Sequence, residues 1–362
     1  MKKASFKSIV LFTLLGISLN FTACKKDTEE DPNPVTTPDP TPTGSYNSGV
    51  FVTCEGQFVG GTGTVSFYNR SNGNVSNNIF QSVNSLPIGN VLQSMEIYND
   101  KGYLVVNNAQ KIEVVNASTF ASTGKITGLE QPRYFLGISA GKAYVTQWGA
   151  SGANNGVKVI DLAGNTAGAL IPTGTGPENM ALSGNFVYVT NTGGFGTDST
   201  LTIINKTTDL VSATLKVGDS PNSIQVDKNG KIWVLCGGSY GPPATAGKLV
   251  RINPASNSIE ASFDFSNSSI HPNHLVINKT KDVLYYLSGG EICSFAINAT
   301  SLSSSLINRS FYSLGIDPSD DVIYAANAGN FTGNGSVLRY NTAAALIDSF
   351  QVGIVPGNFC FK

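Results

Sequence analysis

Few side chains in this chain of 362 residues are suited to covalent or metal chemistry. It has two histidines, His271 and His274, five cysteines, and 24 acidic residues against 23 basic ones. The histidines stand in Ile270-His271-Pro272-Asn273-His274, with no Asp or Glu close in sequence to supply a third metal ligand. A catalytic role would need a carboxylate or nucleophile brought in from elsewhere in the chain. They read first as polar residues at a loop mouth, and no metal or catalytic residue is expected. Cys54, Cys236, Cys293 and Cys360 form no C-x-x-C pair, although an even number in an exported chain would suit disulfides. Cys54 and Cys360 fall on neighbouring strands three rungs apart, which points them to opposite faces. Free thiols packed as small apolar residues are therefore expected. No glycine-rich loop leads into a helix to cradle phosphate, and no cofactor is expected.

Amides and aromatics, spaced at regular intervals, are the more informative pattern. One set of loops carries Glu55, Phe58, Asn107, Trp148, Asn191, Phe195, Tyr240, Asn327 and Phe331. A second set carries Arg133, Tyr134, Glu178, Asn179, Asn222, His271 and Asn273. Such residues bind by stacking on a planar surface and hydrogen-bonding its edges. Each aromatic could equally fold back as packing, whereas the ring as a whole favours binding. All sixteen are taken as candidate ligand-binding residues.

The elements that position them form a repeat. A strand-like block ending in Asn or Asp closes at Asn69, Asn116, Asp161, Asn205, Asn253, Asn298 and Asn341, at intervals of 43 to 48 residues. An aromatic strand precedes each block, marked by Phe51, Tyr103, Tyr144, Tyr188, Trp233, Tyr285 and Tyr324. Before it comes a shorter strand, often opened by Pro and two polar residues, as in Pro132-Arg133-Tyr134 and Pro177-Glu178-Asn179. A looser fourth strand follows each block. Four strands in about 45 residues is one propeller blade, so the fold class is all-β, a seven-bladed propeller with four-stranded antiparallel blades. The first repeat lacks its opening strand, and Pro356 to Phe361 supplies it, closing the ring and removing exposed edges. In a propeller both loop sets fall on one face.

The stretch before the repeats has its own pattern. Lys2, Lys3 and Lys7 precede the apolar run Ile9 to Leu19, which ends at Phe21-Thr22-Ala23-Cys24 and resembles a bacterial lipobox. Residues 1–23 are read as a lipoprotein signal peptide. Residues 24–48 are read as a lipidated Cys24 followed by a disordered acidic, Pro- and Thr-rich tether, and residues 49–362 as the propeller. An ordinary secretory signal is the alternative. The lipid would hold the protein to a membrane without spanning it. Charged residues make up only 13% of the chain and the net charge is −1, which offers no basic field for nucleic acid.

Tyr188-Val189-Thr190-Asn191 and Tyr144-Val145-Thr146 resemble the name motif of the YVTN or YncE-like propellers. A narrower likeness, to Bacteroidetes surface-lipoprotein propellers of the BtuG type, rests on three features. These are Gly49-Val50-Phe51-Val52-Thr53-Cys54-Glu55-Gly56-Gln57-Phe58, Gln131-Pro132-Arg133-Tyr134-Phe135, and the lipobox with its acidic tether. Cys54 stands where that motif often has Asn. The resemblance implies a non-enzymatic protein on the outer membrane, facing the cell exterior, that captures cobalamin and passes it to a TonB-dependent transporter. A glycan- or protein-binding propeller would use the same face. A propeller lyase or lactonase is the third reading, and it needs an acid–base cluster where this chain offers scattered Glu55, Glu178 and two histidines.

Overall fold

Strand-forming segments rich in Val, Ile, Tyr and Phe come in groups of four, separated by Asn, Asp and Gly turns. In the computed structural model, which describes residues 45–362, each group is one four-stranded antiparallel sheet, and there are seven of them. The inner strands of blades 2 to 7 are Leu92–Tyr98, Pro132–Ser139, Pro177–Ser183, Pro221–Val226, Asn273–Ile277 and Ser313–Ile316. They pack side by side around the ring. Blade 1 takes its inner strand, Pro356–Phe361, from the far end of the chain, paired to Gly49–Cys54. The expected architecture and closure are both present.

The seams between blades are the core. Tyr103, Tyr144, Tyr188, Trp233 and Tyr324 are fully buried at the second strand of their blades, and Tyr103 stacks on Phe135 of the next inner strand with centroids 4.1 Å apart. Inner strands approach so closely that some positions hold no side chain. A Cβ on Gly137 would meet the Tyr98 ring at 2.2 Å. The register places Cys360 opposite Phe51 and Cys54 opposite Pro356. Cys54 and Cys360 belong to different core clusters, and all four cysteines of the propeller are free and buried. Burial pushes the Cys360 thiol well above its ordinary value and the Cys54 thiol up to about 12.

Two features depart from the regular repeat. The packed body begins at Tyr46, inside the stretch read as tether. Tyr46 is only 4% exposed and lies edge-on to Phe67 and Phe120. Blade 1 also has an outer strand of two residues, Val75–Ser76, followed by a six-residue helix, Ile79–Asn84, that buries Ile79 and Phe80 against the same cluster. Neither was legible, because a lone aromatic and one helical turn carry no periodic signal. Cys24 and the stretch read as a signal peptide lie outside the described residues. Among the described residues no helix is long and apolar enough to cross a membrane.

Candidate functional site

Each inner strand is entered through an equivalent position: Leu92, Pro132, Pro177, Pro221, Pro272, Phe311 and Pro356, the strand itself beginning one residue later in blade 6 and two later in blade 7. The backbone there is unusual. The residue just before has positive φ in five blades, at Val91, Gln131, Gly176, Ser220 and Val355. The register to the second strand slips in blades 1 to 6. Such a bulge frees a residue from the ladder and turns its side chain aside. A β-branched residue with positive φ, as at Val91 and Val355, is strained, and strain of this kind gathers at working sites.

The residues that follow these positions are Gln93, Arg133, Glu178, Asn222, Asn273, Tyr312 and Gly357, and all seven line one cavity of about 480 Å³. Gln93, Arg133, Glu178, Asn222 and Gly357 fall in the bulges, whereas Asn273 still pairs with Leu287 and blade 7 has no slip. Tyr134, Asn179, Ser223 and His274, one residue further along, line it too. From the loops between second and third strands come Glu55, Phe58, Asn107, Asn108, Trp148 and Phe195. Hydrogen bonds pass from blade to blade around the mouth. Asn107 Nδ2 donates to the Pro132 carbonyl (3.1 Å), Asn179 Nδ2 to that of Asn222 (2.9 Å) and Asn222 Nδ2 to that of Pro272 (2.8 Å).

Charge in the cavity is arranged as one tight cluster. Arg133 Nε donates to Glu178 Oε2 at 2.9 Å and its Nη2 to Oε1 at 2.6 Å, a two-pronged pair. Its Nη1 donates to Gln93 Oε1. The Trp148 ring lies 4.2 Å from the guanidinium carbon, and Trp148 Nε1 donates to Glu178 Oε2 at 2.9 Å. Phe195 meets Trp148 edge-on. Burial opposes the Arg133 charge, but Glu178 more than offsets it and holds the guanidinium protonated. Burial, helped by the Glu178 charge, pushes the Tyr134 hydroxyl up to about 12. Across the mouth, Glu55 Oε1 accepts the Tyr312 hydroxyl at 2.9 Å. Burial raises the Glu55 carboxyl, while Tyr312 and Arg133 pull it back. Burial lowers His274 to about 4, so the ring is neutral at pH 7.

Eleven of the sixteen expected residues therefore meet at one cavity: Glu55, Phe58, Asn107, Arg133, Tyr134, Trp148, Glu178, Asn179, Phe195, Asn222 and Asn273. Five are not on its wall. Asn191 is wholly buried and bonds Thr200 and Thr202. Asn327 accepts the Gly329 amide in a turn. Tyr240 stacks on His271 at 3.6 Å, and His271 Nδ1 lies 2.9 Å from the Gly237 carbonyl. Phe331 is half-exposed and edge-on to Tyr312. Tyr312, Val91 and Gly357 were missed. Phe311 replaces the usual strand-opening proline before Tyr312, and a glycine presents no side chain to notice. Strict alignment of the seven repeats is the signal that finds them. Among the described residues no three His, Cys, Asp or Glu side chains gather as metal ligands.

A family model described as "Domain of unknown function (DUF5074)" matches residues 48–352. No curated protein matches the chain in sequence. Among solved structures it is similar to a quinonprotein alcohol dehydrogenase-like protein of Bacteroides thetaiotaomicron. That match has TM-score 0.66 and 16% identity, over 88% of this chain and 79% of that one. It is also similar to hydrazine synthase of Kuenenia stuttgartiensis (TM-score 0.57, 14% identity, 74% of this chain and 88% of that one). Apo AztD of Citrobacter koseri gives TM-score 0.56 and 14% identity, over 86% and 97%. At these identities the likeness is one of fold.

Proposed function

We propose that this chain, which belongs to the DUF5074 family, is a ligand-binding propeller that captures a small molecule in the cavity at the mouth of its ring. The observation that carries this reading is the set of seven equivalent positions, all on the cavity wall and, apart from two asparagines, all different. A purely structural ring has no need of such variety. The Arg133–Glu178–Trp148 cluster points the same way, because a buried ion pair adds little stability over apolar packing. Its cost is reasonable where a rigid polar wall must meet a ligand. The volume lies within the roughly 300–1,000 Å³ of small-molecule sites. Phe58 and Phe195 stand exposed on the rim, ready to cover an apolar face of whatever enters.

Amide side chains below and aromatic rings above suit a large, planar, amide-bearing ligand, and a corrinoid is the finer reading. The cavity would take part of it and the rim would cover the remainder. Binding here is read as non-covalent, since Arg133 and Glu178 are held by each other. Together with the lipobox-like segment, the reading is of a lipid-anchored protein facing the exterior from the outer membrane and passing its ligand to a TonB-dependent transporter. The test is calorimetric titration of the full-length protein in detergent with cyanocobalamin, beside Trp148→Ala. One-to-one binding that the variant loses while keeping its circular dichroism supports capture. No heat at high concentration sinks the corrinoid reading and turns the search to glycans.

A further inference from the structure

Six of the seven equivalent positions carry a polar or aromatic side chain, and the seventh is Gly357. That gap is filled. A Cβ built on Gly357 would lie 2.6 Å from Glu55 Oε1 and 3.3 Å from both Cδ and Cγ of Glu55. The carboxylate of Glu55, which follows the second strand of blade 1, thus lies over the bare backbone of blade 1's inner strand and takes the missing seat. Tyr312, from the neighbouring seat in blade 7, holds it there by the hydrogen bond to Oε1.

Glu55 differs in kind from the other acid on the wall. Glu178 accepts three hydrogen bonds, two from Arg133 and one from Trp148. Among the described residues Glu55 accepts one, from a neutral hydroxyl. Of the residues lining the cavity only Arg133 is basic and permanently charged, and Glu178 pairs with it directly. His274 is neutral at pH 7, and so are Tyr134 and Tyr312. One acid therefore remains without an ion-pair partner, half-buried, next to the exposed ring of Phe58 in its own loop. An anion entering this cavity would meet like charge with little water to screen it, whereas an N–H donor would meet a waiting acceptor.

We infer that Glu55 is the cavity's ligand-facing acceptor, and that the cavity selects ligands presenting a primary amine or primary amide beside an apolar surface and turns away carboxylates. This rests on the capture reading and deepens it by naming the chemistry recognised. It does not depend on the ligand being a corrinoid.

A matched series tests it: benzylamine, benzamide and benzoate, titrated into the full-length protein at pH 7 and followed by ligand-observed NMR. The expected order is benzylamine and benzamide bound, and benzoate at least tenfold weaker. Glu55→Gln should weaken benzylamine tenfold or more and benzamide much less, because the glutamine carbonyl still accepts from an amide. Gly357→Ala retains the charge but pushes the carboxylate from its seat, and should cost benzylamine a similar factor. Melting curves show whether both variants fold. Benzoate binding as well as benzylamine, neither amine nor amide binding, or unchanged benzylamine affinity in both variants would each overturn the inference. Failure of cyanocobalamin with the series intact removes only the corrinoid reading. The reverse pattern removes only the role of Glu55.

Discussion

Among the described residues, two of the arginine–carboxylate pairs reach from one blade to another, and they are almost equally buried. Arg70 and Asp317 have side chains 19% and 0% exposed, and Arg133 and Glu178 16% and 8%. Asp317 lies just past the end of the inner strand of blade 7, whereas Glu178 lies at the start of that of blade 4, so the pairs sit at opposite ends of the inner strands. Arg70 reaches Asp317, the Ser319 hydroxyl and the Lys362 carbonyl, so it ties blade 7 and the closing strand to blade 1. Asp317 has further support from the Ser319 amide and hydroxyl. Arg133 instead reaches side chains of blades 2 and 4, with an indole across its face and a cavity beside it. The pairing chemistry is the same, but one pair is a clasp among short loops and the other is a wall. Their difference lies in what else is within reach.

The largest effect should come from Arg133→Ala. It leaves the Glu178 carboxylate without its counter-charge and with the Trp148 bond alone, and breaking a buried pair costs about 3 kcal/mol or more. Denaturant melts should show that loss, and titration should show binding abolished. Unchanged stability would mean the cluster is not the firm wall described. Arg70→Ala should cost about 1–2 kcal/mol, since Asp317 keeps its bonds from Ser319, and ligand affinity should be untouched. If it weakens binding as much as Arg133→Ala, the division between clasp and wall fails.

Glu55→Gln sharpens the contrast through pH. The folded-state value of Glu55 is raised, so the unfolded chain gives up this proton first as pH rises. Ionised Glu55 therefore costs stability above the ordinary carboxylate range, and none below it. The variant should melt higher than the parent at pH 7, by an amount that shrinks to nothing as pH falls below about 4. An advantage that grows toward acid would reverse the account. The smallest effect on folding is expected at Phe58→Ala. With a side chain 75% exposed, stability should stay within about 0.5 kcal/mol while affinity falls severalfold. A clear loss of melting temperature would make Phe58 a packing residue.

Much of this was legible before any coordinates. The seven blocks ending at Asn or Asp, the aromatic before each, and the borrowed strand at Pro356 required only counting, because a propeller repeats one supersecondary unit at a fixed period. The three-rung offset between Cys54 and Cys360 followed from aligning the turns of the repeats. Part of the cavity wall followed from the Pro-polar-polar starts of the inner strands. Asn191 was misplaced because its position at a strand end resembles that of a loop residue, although its amide turns inward to Thr200 and Thr202. Tyr46 was assigned to the tether because one aromatic after a run of prolines shows no partner until Phe67 and Phe120 are brought to it.

Local sequence by itself determined the number of blades, their strand order, the closure and the face on which the polar loops gather, since each depends on patterns that repeat within about 45 residues. Only the tertiary structure decided which polar residues meet. The partnership of Arg133 with Glu178 spans 45 positions, and that of Tyr312 with Glu55 spans 257. The first depends on bulges that turn Arg133 and Glu178 out of the ladder, the second on the ring closing blade 7 against blade 1. The seat left empty by Gly357 and taken by Glu55 is the clearest case: an absent side chain acquires meaning only when a neighbouring strand is packed against it.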